Sequence, residues 1–184
     1  MKVVLKNVVL RFADLFEPRE FKAGDGRPRY SAAFLVEHGS DNDKAVKDAI
    51  TDTMKEAWQD KAAVKTKAFM SQNGQCCYQD GSSKEYDGCD GFMFLSAHRA
   101  AKQGAPAIVD RAKQPLDVSG GKPYPGCTVN AVVDVWAQTG ENPGIRCSLS
   151  AVQYVKSGEP FGNGAATASD LPELDEDIGD DDLI

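Results

Sequence analysis

Basic and aromatic side chains are interleaved along the loops of this 184-residue chain, a mixture that suits one kind of chemistry. Arg27, Arg29 and Tyr30 form one group, and Tyr78, Lys84 and Tyr86 a second. Arg99, Lys102, Arg111 and Lys113 form a third, and Lys122 and Tyr124 a fourth. Cations set along a groove attract a phosphate backbone, while flat aromatic faces stack on unpaired bases at about 1–3 kcal/mol per base. Every base has a π face, so such a surface needs no sequence motif. Trp136 shares a strand face with Asn130 and Asp134, and is either a further stacking platform or covered by a helix. The competing reading of each residue is ordinary: exposed Lys and Arg solvate a surface, and a Tyr in a strand fills a core.

Other chemistries find less support. Cys76, Cys77 and Cys89 offer three thiols and His98 a fourth ligand, but zinc knuckles space their cysteines by two to four residues, and adjacent cysteines point apart. No metal site is expected. Only two histidines occur, His38 and His98, and the chain contains no nucleophile elbow, phosphate loop or zinc-protease motif. Asp87 and Asp90 read as solvated turn residues. No catalytic residue and no cofactor are expected, so the chain is expected not to be an enzyme.

Charge is divided unevenly. The chain carries 21 basic and 28 acidic residues, a net charge of −7. Eight of those acids (Asp170, Glu173, Asp175, Glu176, Asp177, Asp180, Asp181 and Asp182) fall in the last fifteen residues, which include no base. Such a segment repels itself and holds too little apolar area to offset its ordering entropy, so a disordered acidic tail is expected. The remaining body is close to neutral, and a positive groove on it must be local rather than global. The opening residues lack the apolar core of a secretory signal, and no apolar run reaches the roughly 18 residues of a membrane span. Five scattered cysteines, an odd number, suit reduced thiols better than a disulfide framework. A cytoplasmic protein with no membrane partner is expected.

The elements that must position the candidate residues are mostly strands. Residues 3–12 read as a first strand, rich in β-branched residues and free of Gly and Pro. Residues 18–29 form a basic loop punctuated by Pro18, Gly24, Gly26 and Pro28. Residues 30–36 read as a second strand. Ser40 and Asp43 then cap a helix whose apolar stripe is Val46, Ile50, Met54, Ala57 and Trp58, ending near Ala62 or Ala63. Residues 67–91 read as short extended pieces joined by glycine turns. Residues 92–97 and 107–109 are further strands, with His98-Arg99 following the first. Residues 127–138 alternate cleanly, Val129, Ala131, Val133, Val135 and Ala137 on one face. A turn at 140–144 returns the chain through 145–156, with Ile145, Cys147, Leu149, Ala151 and Gln153 on one side. Residues 158–169 are a Gly- and Ala-rich linker. One β-rich barrel or sandwich with a single helix is expected.

Two segments carry a family resemblance: residues 125–136 turning into 144–161, and the acidic tail. With the opening strand, they make the chain resemble phage-type single-stranded DNA-binding proteins. The resemblance implies a mainly β fold, an OB-like barrel over residues 1–161 with one covering helix, and a linker and tail over residues 162–184. It also implies binding and protection of single-stranded DNA without sequence specificity, in phage replication and recombination inside the infected bacterial host. The family's tail lies over its own DNA groove and is displaced by DNA. Here residues 170–184 would take that role, and Asp180, Asp181, Asp182, Leu183 and Ile184, once freed, would recruit replication or recombination proteins. Oligomeric state is left open. Two rivals stand beside this reading: a non-enzymatic interaction or scaffold protein using the tail as a docking peptide, and a small nucleic-acid-processing enzyme with metal at Cys76, Cys77 and Cys89.

Overall fold

The alternating runs do form strands, and the strands close on themselves. The computed structural model describes residues 1–20, 26–72 and 74–161. The described strands are β1 (Lys2–Arg19), β2 (Arg29–Glu37), β3 (Tyr78–Asp80), β4 (Phe92–Ala100), β5 (Ala107–Val109), β6 (Thr128–Gln138) and β7 (Gly144–Lys156). Five of them pair in a ring, β1–β2–β4–β7–β6 and back to β1. All these pairs are antiparallel except the closing one, where β4 meets β7 in parallel with His98 opposite Ser148. β3 adds to the edge of β4 and β5 to β7. The fold is mainly β, an OB-like closed barrel with a helical arm, as expected. The acidic tail lies outside the described residues.

Local chemistry explains where strands depart from expectation. In β1, Asn7 adopts a left-handed φ of 53° and its N–H takes the Asn130 side-chain oxygen at 2.9 Å. The register shifts there, between Leu5 and Val8, so a run that reads as one smooth strand contains a bulge. The strand also runs past Phe12 to Arg19, because Leu15 is buried and Asp14 ties Ser31 (3.0 Å) and Arg19 (2.9 Å). β4 extends through His98 and Arg99, which the sequence placed after it.

The β6–β7 hairpin carries the barrel's clearest alternation. Val129, Ala131, Val133 and Val135 are buried inside it, while Asn130, Val132 and Asp134 are half-buried and Trp136 is exposed. On β7, Ile145, Cys147 and Leu149 face inward as expected, but Val132 pairs with Ala151 and Val133 with Leu149. The extra residue, Ser150, makes a bulge that reverses the phase. Val152 therefore becomes the inward residue, fully buried, and Ala151 and Gln153 are displaced from that face.

The helical arm follows β2 and spans residues 41–71, further than expected. α1 (Asp41–Trp58) ends at Gln59, whose φ is 46°, a short 3-10 turn covers Gln59–Lys61, and α2 (Ala62–Ser71) completes the arm. Val46, Ala49, Ile50 and Met54 join the barrel core in one hydrophobic cluster, so α1 plugs the barrel. Trp58 packs half-buried against Phe69, ring edge to face at 5.3 Å. The cap is as expected, Ser40 Oγ accepting from the Asp43 N–H at 3.2 Å. Asp43 does more: its carboxylate accepts from the Tyr78 hydroxyl, the Gly39 N–H and the Lys47 ammonium, each at 2.8 Å. Burial pushes the Asp43 carboxyl up, but those three donors outweigh it and hold the group below the usual carboxylate range.

The thiols are all free, with Cys127 and Cys147 in the barrel core. Cys76 belongs to the same core, whereas Cys89 sits in a separate cluster with Ala33, Leu35 and Phe94 on the outer face.

Candidate nucleic-acid interface

Strand alternation decides which side chains reach the surface. On β4, Met93, Leu95 and Ala97 point into the barrel, so Ser96, His98 and Ala100 point out. These three, with Arg29 from β2, Trp136 and Gln138 from β6, and Arg146 and Ser148 from β7, line one groove on the barrel's outer wall. Loops complete it: Arg27 and Pro28 before β2, Lys84 after β3, Lys102 after β4 and Asn142 between β6 and β7. Its volume is about 1180 Å³.

The charge of this groove is one-sided. Five cationic side chains line it (Arg27, Arg29, Lys84, Lys102 and Arg146), and among the described residues no carboxylate does. Among the described residues, Arg146 is held by neutral acceptors: the Gln138 side chain (3.1 Å), Gly74 O (2.8 Å) and Asn142 O (3.1 Å). Its charge is therefore positioned without being neutralised. Lys84 bonds the Gln79 side chain, and burial lowers its pKa. His98, although exposed on the groove wall, is also held below the ordinary imidazole value, first by desolvation and then by the Arg29 and Arg146 charges.

Trp136 supplies the flat surface. It is 43% exposed on the groove wall and lies across the ladder from Arg146. Its ring N–H donates to Ser148 Oγ at 3.0 Å, which fixes the indole's orientation. The helical arm does not cover it, which resolves the alternative left open by the sequence.

Of the residues singled out in the sequence, Arg27, Arg29, Lys84, Lys102 and Trp136 come together in this groove. The others do not. Tyr78 is fully buried with its hydroxyl on Asp43, so it has no face for a base, and its candidacy as a contact is corrected. Arg99 points to the opposite side of β4 and donates to Gly104 O (2.8 Å), Gln103 O (3.1 Å) and Leu149 O (3.4 Å), bracing the end of β4 against β7. Tyr30 pairs with Arg99 in register and is half-buried, in phase with inward Ala32 and Phe34. Arg111 and Lys113 are exposed on the turn after β5 and do not line the groove. Lys122 covers the Tyr154 ring at 5.0 Å, and the Tyr124 hydroxyl donates to Gly158 O at 3.0 Å, so both secure the exit from β7. Tyr86 is exposed on a neighbouring patch, and the tail candidates Asp180, Asp181, Asp182, Leu183 and Ile184 lie outside the described residues.

Arg146 and His98 are the groove residues the sequence reading missed. The hairpin register held a usable signal for Arg146: a turn at 140–144 sets it opposite Trp136. His98 gave no such signal, because its placement depends on β4 meeting β7.

A family model described as the single-stranded DNA-binding protein of Enterobacter phage Enc34 matches residues 1–184. The chain belongs to that family. The family is a class of binding proteins rather than enzymes. A curated relative, putative protein p50 of Acyrthosiphon pisum secondary endosymbiont phage 1, is 36% identical over 177 residues, covering 95% of this chain and 94% of that one. Two solved structures of the bacteriophage Enc34 single-stranded DNA-binding protein share the fold. The one in complex with single-stranded DNA has a TM-score of 0.68 at 24% identity, over 88% of this chain and 89% of that one. The other has a TM-score of 0.66 at 25% identity, over 92% of this chain and 88% of that one. Within this Enc34-type family the barrel is thus shared architecture, carried by a sequence largely its own.

Proposed function

We propose that this chain binds single-stranded DNA without sequence preference, the strand lying in the outer groove with a base on Trp136 and phosphates over Arg27, Arg29, Lys84, Lys102 and Arg146. The observation that carries the reading is the groove itself: five cations and an exposed indole with no carboxylate among its described lining residues. OB folds bind oligonucleotides on the face of their second and third barrel strands, between the loops joining strands one to two and four to five. Here those strands are β2 and β4, and the loops contribute Arg27 and Asn142. Membership of the Enc34 family, and a relative solved with single-stranded DNA, support the same assignment. The setting would be phage replication and recombination in the infected bacterial cell.

Residues 1–161 would be the binding domain and 162–184 a linker and acidic tail. As a flexible chain, about 22 residues span roughly 25 Å, enough to cross a small domain. Tethering at that range gives effective concentrations in the millimolar range, so a weak tail–groove contact competes with DNA. Once displaced, the tail is free to recruit replication or recombination proteins.

Titration with a fluorescent thymidine oligomer and its duplex, at two salt concentrations, tests the assignment. The single strand should be preferred, with log K falling against log salt at about −0.7 per phosphate neutralised, hence about −3.5 from the five groove cations. Deleting residues 170–184 should tighten binding. No affinity for either form would favour the docking-protein reading, and unchanged affinity after the deletion would remove self-competition.

His98 adds a pH dependence. Its pKa is depressed in the free protein, and an incoming phosphate stabilises the imidazolium and raises it. Binding then takes up a proton, so affinity should rise as pH falls below the bound-state pKa and level off below the free-state one. His98→Gln should flatten that rise. A profile identical to the wild type between pH 7.5 and about 5.5 would place His98 out of reach of the strand.

A further inference from the structure

Beside the groove, the outer face of β1 and β4 carries a cluster that barrel packing alone does not call for. The Arg11 guanidinium lies over the Phe161 ring at 4.4 Å and the Phe12 ring at 4.7 Å, with Tyr86 at 6.0 Å. Its Nε is buried without a hydrogen-bond partner, and among the described residues no carboxylate pairs with it. A half-buried cation held by aromatic faces and facing no anion is costly unless an anion arrives. Tyr86 stands next to it, 48% exposed, its ring fixed by Phe12 edge-on at 4.9 Å and by Phe94 stacked at 6.3 Å. An exposed ring already held by two others gives up little freedom when a base stacks on it.

The cluster is continuous with the groove. Lys84 lines the groove and also places its ammonium over the Phe94 ring at 5.6 Å, and Phe94 is the ring on which Tyr86 stacks. Phe94 lies on the same outer face of β4 as Ser96 and His98, one side-chain repeat of about 7 Å below Ser96. A strand leaving the groove past Lys84 therefore meets Tyr86 and then Arg11.

We propose that Arg11 and Tyr86 form a second nucleotide subsite outside the groove, in which a base of the same single strand stacks on Tyr86 and the adjoining phosphate pairs with Arg11. The proposal rests on the single-stranded DNA reading of the groove. It assigns a contact to Arg11, which nothing in the sequence pattern marked, and makes the DNA path longer than the groove.

The test is the length dependence of binding, measured on the full chain with thymidine oligomers from about 4 to about 16 nucleotides, the range of OB-fold site sizes. Affinity of the wild type should rise with length until the subsite is covered. Tyr86→Ala should follow the wild type on the shortest oligomers and fall roughly tenfold below it on the longest, with Tyr86→Phe restoring the curve. Arg11→Gln should show the same length-selective loss and Arg11→Lys a smaller one. Thermal melting checks that each variant folds, and if Arg11→Gln does not, the surface residue Tyr86 decides alone. Trp136→Ala, by contrast, should weaken every length. Tyr86→Ala matching the wild type at all lengths would overturn the subsite, as would an Arg11 effect that vanishes when residues 170–184 are deleted, which would assign Arg11 to the tail. A wild type that binds no oligomer would instead defeat the groove reading itself.

Discussion

Replacing Trp136 with alanine is expected to lower affinity for a long thymidine oligomer by about 5- to 150-fold, the equivalent of the 1–3 kcal/mol that one base–aromatic stack contributes. Stability should hardly change, because the side chain is 43% exposed and packs on the outside of the barrel. Trp136→Phe should recover most of the loss, since any flat ring stacks. Ser148→Ala should cost only a few-fold, because it releases the indole N–H without removing the ring. Fluorescence anisotropy with circular dichroism on the same samples separates the two quantities. A change of less than about twofold for Trp136→Ala would move the stacking site elsewhere on the barrel.

The second large effect is on stability. Asp43→Ala should destabilise the protein by about 1–3 kcal/mol, the cost of a buried donor left without a partner. That donor is the hydroxyl of Tyr78, a fully buried residue, whereas the Gly39 N–H lies on an exposed residue and can turn to water. The Lys47 contact adds little, since its side chain is 48% exposed and screened by solvent. For a domain of this size the midpoint of thermal unfolding should drop by about 2–12 °C. Tyr78→Phe should cost less, because the carboxylate keeps two donors. The acid limb carries the same signature. The folded-state pKa of Asp43 is lowered, so its contribution is present above the unfolded carboxyl pKa and is lost as pH falls through the folded one. Asp43→Ala should therefore flatten the loss of stability at low pH, and an unaltered acid profile would show that other carboxylates dominate.

Together these two substitutions separate the roles of the barrel's two faces. Asp43 and Tyr78 join α1 to the edge strand β3, beneath the wall that carries the groove. Trp136, Arg146 and His98 stand on the outside of that wall. The proposed binding without sequence preference would suit such a wall, because cations meet a phosphate backbone and an indole meets base faces, neither of which carries sequence.

Much of the fold was legible locally. The strict two-residue alternation of β6 identified its buried face, the 3.6-residue stripe from Val46 to Met54 identified a covering helix and its apolar face, and Ser40 with Asp43 marked where the helix starts. Charge separation between body and tail required only counting, and the absence of motif chemistry pointed away from catalysis. Each of these rests on interactions between residues close in sequence or on composition, and the chain itself carries that information. The site was less legible. Two bulges, at Asn7 and Ser150, change which residues face inward, and they are fixed by cross-strand partners more than a hundred residues or a hairpin away. Tyr78 and Tyr86 look alike in sequence, yet one is locked beneath Asp43 and the other stands open, because β3 pairs with β4 and the following turn does not. Arg99 and His98 are neighbours in the chain and point to opposite sides of one strand. The sequence by itself determined a β-rich barrel or sandwich with one covering helix, a supply of cations and aromatics, and a C-terminal run of acidic residues. Only the tertiary structure decided which of them share a groove. That grouping depends on β4 closing against β7, a non-local contact whose register no periodicity encodes.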